Sequence, residues 1–281
     1  MTRWRHVTVV GLGLIGGSIA RALRARGLAT TIVGVGRSRP ALGSAVAAGA
    51  IDLATEDMGQ GVTGADLVVL CAPVGVLPGL VRAAWPHLAP GALLTDVGSV
   101  KRGIVEAAEA CPGRDGVLFA GSHPMAGSER SGFGASDPDL FEGRLALVTE
   151  TSRTDARAVA AATAFWAALG SQVRVLSVEA HDRGVAMISH LVHLAAYGLV
   201  TSADEDALPL VARGFADTTR VALSSETLWA DIFRENRPAL LDAVARYRAV
   251  LERWEGWIRA GRWESLEAEL GRAREVREKL S

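Results

Sequence analysis

Short apolar runs alternate with amphipathic stretches over the first 177 residues of the chain. The runs predicted as strands are Val7–Val10, Thr31–Val35, Asp66–Pro73 (a strand together with its exit), Ala92–Asp96, Val117–Ala120, Leu145–Val148 and Val173–Leu176. Between them, helical spacing of apolar residues predicts helices after the first strand and over 77–85, 101–110 and 155–169. Strands that alternate with helices favour an α/β fold with a doubly wound, mostly parallel sheet.

After Leu176 the strand pattern stops and helical spacing takes over. Residues 179–201 are predicted to form one long helix, and Pro238 occupies a plausible first position of a later one. An apolar seam of period three and four runs from Leu240 to Ile258, and a charged helix follows over 263–280. We therefore expect an α/β domain at 1–177 and an all-helical domain at 178–281. The seam fits either a dimer interface or an intrachain core.

The first strand leads directly into Gly11-Leu12-Gly13-Leu14-Ile15-Gly16. A helix and a second strand follow at the spacing expected of a βαβ unit. In this βαβ setting the first glycine permits a tight turn, the second lets the backbone approach a pyrophosphate, and the third allows close helix packing. The helix N-terminus offers free N–H groups to the phosphates. The pattern predicts a Rossmann-type dinucleotide site that includes Gly11, Gly13, Leu14, Ile15 and Gly16.

The end of the second strand bears on the choice of cofactor. A site for NAD usually has a carboxylate there to bind the ribose 2′-hydroxyl, whereas this chain has Arg37-Ser38-Arg39. Guanidinium groups suit a 2′-phosphate, so the sequence favours NADP over NAD, although solvated loop arginines would give the same pattern. Ala72 and Pro73, at the exit of the third predicted strand, are also assigned to the cofactor site.

Composition excludes several function classes. The 281 residues are 49% hydrophobic and carry a formal net charge of -1, which gives no electrostatic footprint for nucleic acid or an anionic membrane. The two cysteines form neither a disulfide framework nor a metal motif. The apolar stretch near the N-terminus is short and broken by glycines, so we expect no signal or membrane segment and a soluble cytoplasmic protein.

A chemically rich segment, 121–129, follows the strand at Val117–Ala120. His123 can exchange a proton near neutral pH, and Pro124 biases it toward extended backbone. An open α/β sheet places its chemistry at the carboxyl edge of its strands, so His123 is a candidate catalytic residue. A polar surface loop is the alternative.

The predicted long helix carries His181, His190 and His193, and Arg220 follows later. No carboxylate or cysteine accompanies the histidines at ligand spacing, so we expect no metal site. Of His190 and His193, which lie three apart on one helix face, one is expected to face the active edge of the sheet, and the other fits a satisfied core residue. Arg220 can bind a carboxylate in bidentate fashion or form a surface ion pair.

These motifs together resemble the prephenate/arogenate dehydrogenase family of tyrosine biosynthesis. Beside the glycine turn, the resemblance rests on 96–101 (Asp-Val-Gly-Ser-Val-Lys), 123–129 (His-Pro-Met-Ala-Gly-Ser-Glu), 181–182, 189–193, 214–220, 229–232 and Asn236, and it covers nearly the whole chain. It implies hydride transfer from a cyclohexadienol to NAD(P)+ with loss of the ring carboxylate as carbon dioxide.

The resemblance also implies roles for single residues. His123 would be the catalytic histidine that hydrogen-bonds the ring hydroxyl, and Ser99 would help to hold that hydroxyl. Arg220 would bind the ring carboxylate, His193 would line the substrate site, and Glu129 would lie at its rim. The helical domain would form a homodimer, with the active site in the cleft between the domains.

Some features depart from the family pattern. Val192 stands where a proline is usual, which should straighten the helix and shift His193 slightly. We expect no regulatory domain after the helices and no fused mutase before the first strand, so any feedback by tyrosine would act at the active site.

Two alternatives stay open at this point. One is another two-domain reductase, of the β-hydroxyacid dehydrogenase or imine reductase type, and the other is a non-catalytic NADP-binding sensor. Such a sensor would keep the glycines but need not keep His123, Ser99 and Arg220 together.

Overall fold

A six-stranded parallel sheet forms the centre of the first domain in the computed structural model, which describes residues 4–113, 116–127 and 130–280. Its strand order is β3-β2-β1-β4-β5-β6, so the order reverses between β1 and β4. The bounds are β1 Trp4–Val10, β2 Ala29–Val35, β3 Leu53–Thr55, β4 Leu67–Leu70, β5 Leu93–Asp96 and β6 Leu118–Phe119. The doubly wound parallel sheet expected from the sequence is confirmed, and β3 is a strand that the sequence analysis did not predict.

Helices cover both faces of this sheet. They are α1 Leu14–Ala25, α2 Arg39–Ala47, α3 Met58–Val62, α4 Leu77–Ala84, α5 Arg102–Glu109 and α6 Ala156–Ala168. Alternate residues of β4 point to opposite faces, so Leu67 and Val69 join one apolar cluster and Val68 and Leu70 join the other. The first cluster contains Trp166 of α6, and the second contains helices α4 and α5. Burial on both faces explains why the strands are continuous apolar runs.

A second sheet of three strands lies beside the first and contains β7 Gly121–Pro124, β8 Leu145–Glu150 and β9 Gln172–Ser177. β7 pairs antiparallel with β8, and β9 pairs parallel with β8. The expectation that the runs near 145 and 173 extend the main sheet is therefore wrong. The chain leaves the main sheet at Ala120, so His123 lies inside a strand of the second sheet, opposite Leu147.

From Val178 onward the described chain is helical. The helices are α7 Val178–Val185, α8 Leu191–Ser202, α9 Arg213–Thr219, α10 Glu226–Glu235, α11 Arg237–Arg259 and α12 Trp263–Glu278. A π-helical turn at Ala186–His190 joins α7 to α8, so the predicted single helix is continuous but not regular. Val192 lies inside regular α8, directly after this wide turn, and the straightening expected from the missing proline stays a prediction. Pro238 lies in the first turn of α11, as predicted.

The helical part docks onto the carboxyl edge of the main sheet through α10. Trp229 and Ile232 of α10 join the apolar cluster beneath α4 and α5. Asp231 accepts a hydrogen bond of 2.9 Å from the backbone N–H of Gly75, just after β4. A Cβ on Gly75 would lie 2.5 Å from Asp231 Oδ1, so alanine at this position would have to displace the carboxylate. The docking brings α10 next to the β4 exit.

Candidate active site

The glycine turn after β1 has the shape that a dinucleotide needs. Gly11 has φ +94°, and a Cβ there would lie 2.1 Å from the Cys71 carbonyl oxygen. A Cβ on Gly16 would lie 1.9 Å from the Gly11 carbonyl oxygen, so α1 packs directly on the turn. Gly13 has open space where its Cβ would be and precedes α1 without a side-chain cap, which leaves Leu14, Ile15 and the following N–H groups for a phosphate.

The turn also lies where the strand order reverses, between β1 and β4. Open α/β sheets bind their ligands in the crevice outside this point. Ala72 and Pro73 follow β4 there, and Pro73 precedes a 3₁₀ turn at Val74–Val76. The residues present therefore fit a dinucleotide cofactor.

The arginine-rich segment after β2 divides into separate roles. Ser38 caps α2 by accepting a hydrogen bond from the N–H of Ala41. Arg39 forms an ion pair with Glu56, which follows β3. Arg37 is exposed beside this pair. Of the two guanidinium groups expected to bind a 2′-phosphate, Arg39 already has a carboxylate partner.

His123 is half-buried on β7, and it contacts the helical part through its ring. Its Nδ1 lies 3.0 Å from Nε2 of His181 on α7. Burial, with repulsion from His181, Lys101 and His190, holds the pKa of His123 well below its ordinary value. His123 is therefore neutral at pH 7, as a general base must be.

A buried ion pair ties the loop after β5 to the strand that carries His123. Lys101 and Asp96 have fully buried side chains and are bonded to each other. Lys101 Nζ donates to the Ser122 carbonyl oxygen at 2.6 Å, and Asp96 accepts the Ser122 N–H at 3.2 Å. Ser99 lies in the loop between this pair, half-buried. The pair thus fixes both the serine loop and the residue before His123.

Two further histidines come from the π turn and from α8. His190 is buried and accepts a hydrogen bond from the Asn236 side-chain amide, and burial lowers its pKa to about 4. His193 stacks on Trp229, with ring centroids 3.5 Å apart, and its Nδ1 donates to the Ser189 carbonyl oxygen. Burial also lowers the pKa of His193, and Arg220 adds to this effect.

These contacts place His193 on the side of the exposed Arg220, and His190 inside the protein. His181 and His190 are held by hydrogen bonds to protein groups. In the parts of the chain that the structure describes, no group of three or more His, Cys, Asp and Glu side chains is arranged to hold a metal ion. Glu129, expected at the rim of the substrate site, lies outside the described residues.

Sequence analysis did not assign a role to Asp96, Lys101, His181, Asp182 or Asn236, although each lies in a motif noted there. These residues form the buried polar network behind His123. A charged residue inside an otherwise apolar segment was the available signal, because Lys and Asp are almost never fully buried unless they are paired. Their partners are distant in sequence, and so the signal does not say what they pair with.

Comparison with known proteins gives matches over most of the chain. Residues 19–175 match the family model described as prephenate dehydrogenase, nucleotide-binding domain, and residues 177–272 match the model described as prephenate dehydrogenase, dimerization domain. A cyclohexadienyl dehydrogenase of Zymomonas mobilis is 35% identical over 261 residues, which cover 90% of this chain and 88% of that protein.

Solved structures agree with these matches. The crystal structure of prephenate dehydrogenase from A. aeolicus in complex with hydroxyphenyl propionate and NAD+ superposes with a TM-score of 0.89 at 29% identity, covering 99% of this chain and 98% of that one. The structure of Synechocystis arogenate dehydrogenase superposes with a TM-score of 0.86 at 31% identity, covering 98% of this chain and 100% of that one.

Proposed function

The chain belongs to the prephenate dehydrogenase family, and we propose that His123 is the general base of its reaction, with NADP+ as the preferred hydride acceptor. The protein is a nicotinamide-dependent dehydrogenase that oxidatively decarboxylates prephenate or arogenate. The observation that carries the role of His123 is its placement: a half-buried, neutral imidazole stands on β7, tied through Ser122 to the loop that holds Ser99 and in contact with α7 of the helical part.

The residues of the site divide the work of the reaction. A nicotinamide cofactor held at the glycine turn would supply the hydride acceptor for the carbinol carbon, and loss of the ring carboxylate as carbon dioxide would leave a phenol. His123 accepts the hydroxyl proton, and Ser99 holds the same hydroxyl in place. Arg220 binds the ring carboxylate, with His193 lining the pocket beside it. Glu129 is proposed at the rim, on its position in the motif alone.

The preference for NADP rests on Arg37. It is exposed at the end of β2, where a ribose 2′-substituent lies in this fold, and it has no carboxylate beside it in its own segment. The A. aeolicus relative was solved with NAD+. The arginine is the feature of this chain that favours the phosphorylated cofactor.

A homodimer is proposed for the helical domain, within proposed bounds of 178–281. The matched family model is that of a dimerization domain. Several apolar side chains of this region are exposed in the single chain, among them Ile188 at 69%, Leu210 at 81% and Leu223 at 82%. A second copy packed on this region would remove such side chains from water, which is favourable. Light scattering should therefore give twice the mass of one chain, and a monomer would contradict the proposal.

We also propose a cytoplasmic location. Among the described residues one helical stretch, Val178–Ser202, is long and apolar enough to cross a membrane by length and composition. Its buried side carries His181, Asp182 and His190, which hydrogen-bond to groups of the protein. Such a side fits the interior of a folded domain better than lipid.

Initial rates of nicotinamide reduction test the function directly. Prephenate and arogenate are each offered with NADP+ and with NAD+. We expect turnover of at least one substrate, faster with NADP+. No turnover with any of the four pairs, in folded protein that binds NADP+, would contradict the proposed function and point to the reductase or sensor alternatives.

A further inference from the structure

A line of hydrogen-bonded side chains continues behind His123 into the helical domain. Nδ1 of His123 lies 3.0 Å from Nε2 of His181, and Nδ1 of His181 lies 2.7 Å from Oδ1 of Asp182. His181 and Asp182 are 1% and 3% exposed, so water does not compete for these bonds. No role follows for either residue from the chemistry described so far.

The partners of Asp182 fix its charge state. Its carboxylate accepts the backbone N–H groups of Lys101 at 2.8 Å and Arg102 at 3.0 Å, in addition to His181. Burial alone would raise the pKa of Asp182, but these hydrogen bonds outweigh it, and the pKa is lowered overall. Asp182 is therefore an ionised carboxylate, which only accepts hydrogen bonds.

The charge of Asp182 then decides where the ring protons lie. Burial lowers the pKa of His181, and the opposing hydrogen bond to Asp182 does not reverse this, so His181 is neutral and carries one ring proton. That proton must lie on Nδ1, facing the carboxylate. Nε2 of His181 is then an acceptor, and the group that donates to it is Nδ1–H of His123.

We propose that His181 and Asp182 are positioning residues, which hold the ring proton of His123 on Nδ1 and leave Nε2 as the base for the substrate hydroxyl. The proposal rests on the proposed role of His123. In the step, the O–H bond of the substrate breaks, its proton joins Nε2 of His123, and the hydride leaves the carbinol carbon for the nicotinamide. The imidazolium that forms keeps donating to His181, and Asp182 lies behind it as the counter-charge.

The line is anchored from both domains, which makes it a rigid support. Asp182, on α7 of the helical domain, accepts the backbone N–H groups at the start of α5, which belongs to the sheet domain. Its backbone carbonyl accepts the side-chain amide of Asn236 at 2.8 Å, and the same amide donates to Nδ1 of His190. The orientation of the His123 ring thus depends on the seating of the helical domain.

Two substitutions of His181 separate this role from simple packing. In His181→Leu the acceptor for His123 is gone, so we expect kcat to fall about 100-fold, the range seen when a supporting hydrogen bond is removed, with KM and cofactor Kd within about twofold. His181→Gln offers an amide oxygen to His123 and an amide N–H to Asp182, so it should recover about tenfold of that loss. Unchanged kcat in the leucine variant, or equal kcat in both variants, would overturn the proposal.

The tautomer itself can be measured without substrate. Ring-labelled ¹⁵N histidine spectra of the whole enzyme, assigned with single variants, should show His123 protonated on Nδ1 in the wild type. His181→Leu should shift the proton toward Nε2, and exposed His87→Gln, the control, should leave His123 unchanged. A wild-type proton on Nε2 would overturn the proposal even if the leucine variant fails to fold. If the wild-type enzyme turned over none of the four combinations of substrate and cofactor, that result would instead count against the proposed function.

Discussion

At the scale of single residues, the two arginines after β2 make a matched pair, because among the residues that the structure describes only Arg39 has a carboxylate partner. Arg37→Ala should raise KM for NADP+ about tenfold or more and leave KM for NAD+ nearly unchanged, since a charge-assisted hydrogen bond contributes about 1.5–3 kcal/mol. Arg39→Ala should have the smaller effect, because Glu56 engages its guanidinium. Steady-state kinetics with both cofactors measures this, and equal effects of Arg37→Ala on both would rule out the 2′-phosphate role.

Single residues also show how far the sequence reaches. His123, Ser99 and the glycines could be picked out because each belongs to a local pattern. The contact between His123 and His181 could not, since 58 positions separate them and the fold alone brings β7 against α7. The same holds for Arg39, whose partner Glu56 lies on an unpredicted strand end.

At the scale of elements, the docking of α10 on the β4 exit is the contact most open to test. A Cβ on Gly75 would meet Asp231 at 2.5 Å, whereas one on Gly79 of α4 would meet nothing within 4 Å. Gly75→Ala should therefore lower the free energy of unfolding by about 1–3 kcal/mol, the usual cost of overpacking. Gly79→Ala should be neutral or slightly stabilising, because alanine favours a helix.

A double variant provides the control for this contact between Gly75 and Asp231. In an Asp231→Ala background the obstacle is gone, so Gly75→Ala should cost clearly less, as judged from urea unfolding of all four proteins. Strictly additive effects would show that the two residues do not restrain each other.

Elements were predicted well where the pattern is local and poorly where it is not. The first βαβ unit follows from burial on both faces and from the glycine turn. β3 has three residues, two of them exposed, and so leaves no apolar run. The second sheet was missed because the direction and register of β7 depend on β8, more than 20 residues later. The π turn at Ala186–His190 has no sequence signature here.

At the scale of the whole molecule, buried neutral histidines make stability depend on pH. A histidine whose folded pKa lies below its unfolded value binds fewer protons when folded, so stability is complete above about pH 6.5 and falls as the pH drops toward the folded pKa. For His190, with a folded pKa of about 4, the loss between pH 7 and pH 5 is about 2 kcal/mol.

Urea unfolding at the two pH values and one protein concentration measures this loss. His190→Gln should show a smaller difference, since that histidine no longer contributes, while His123 and His181 still do. Equal stability of the wild type at pH 7 and pH 5 would contradict the buried neutral state of these rings.

The most direct test of the whole account is turnover by His123→Asn, with cofactor affinity measured on the same sample. The account predicts that kcat falls at least about 1,000-fold, because the base is lost, while Kd for NADP+ stays within about twofold, because the glycine turn and Arg37 are intact. Near wild-type turnover in this variant would show that His123 is not the base.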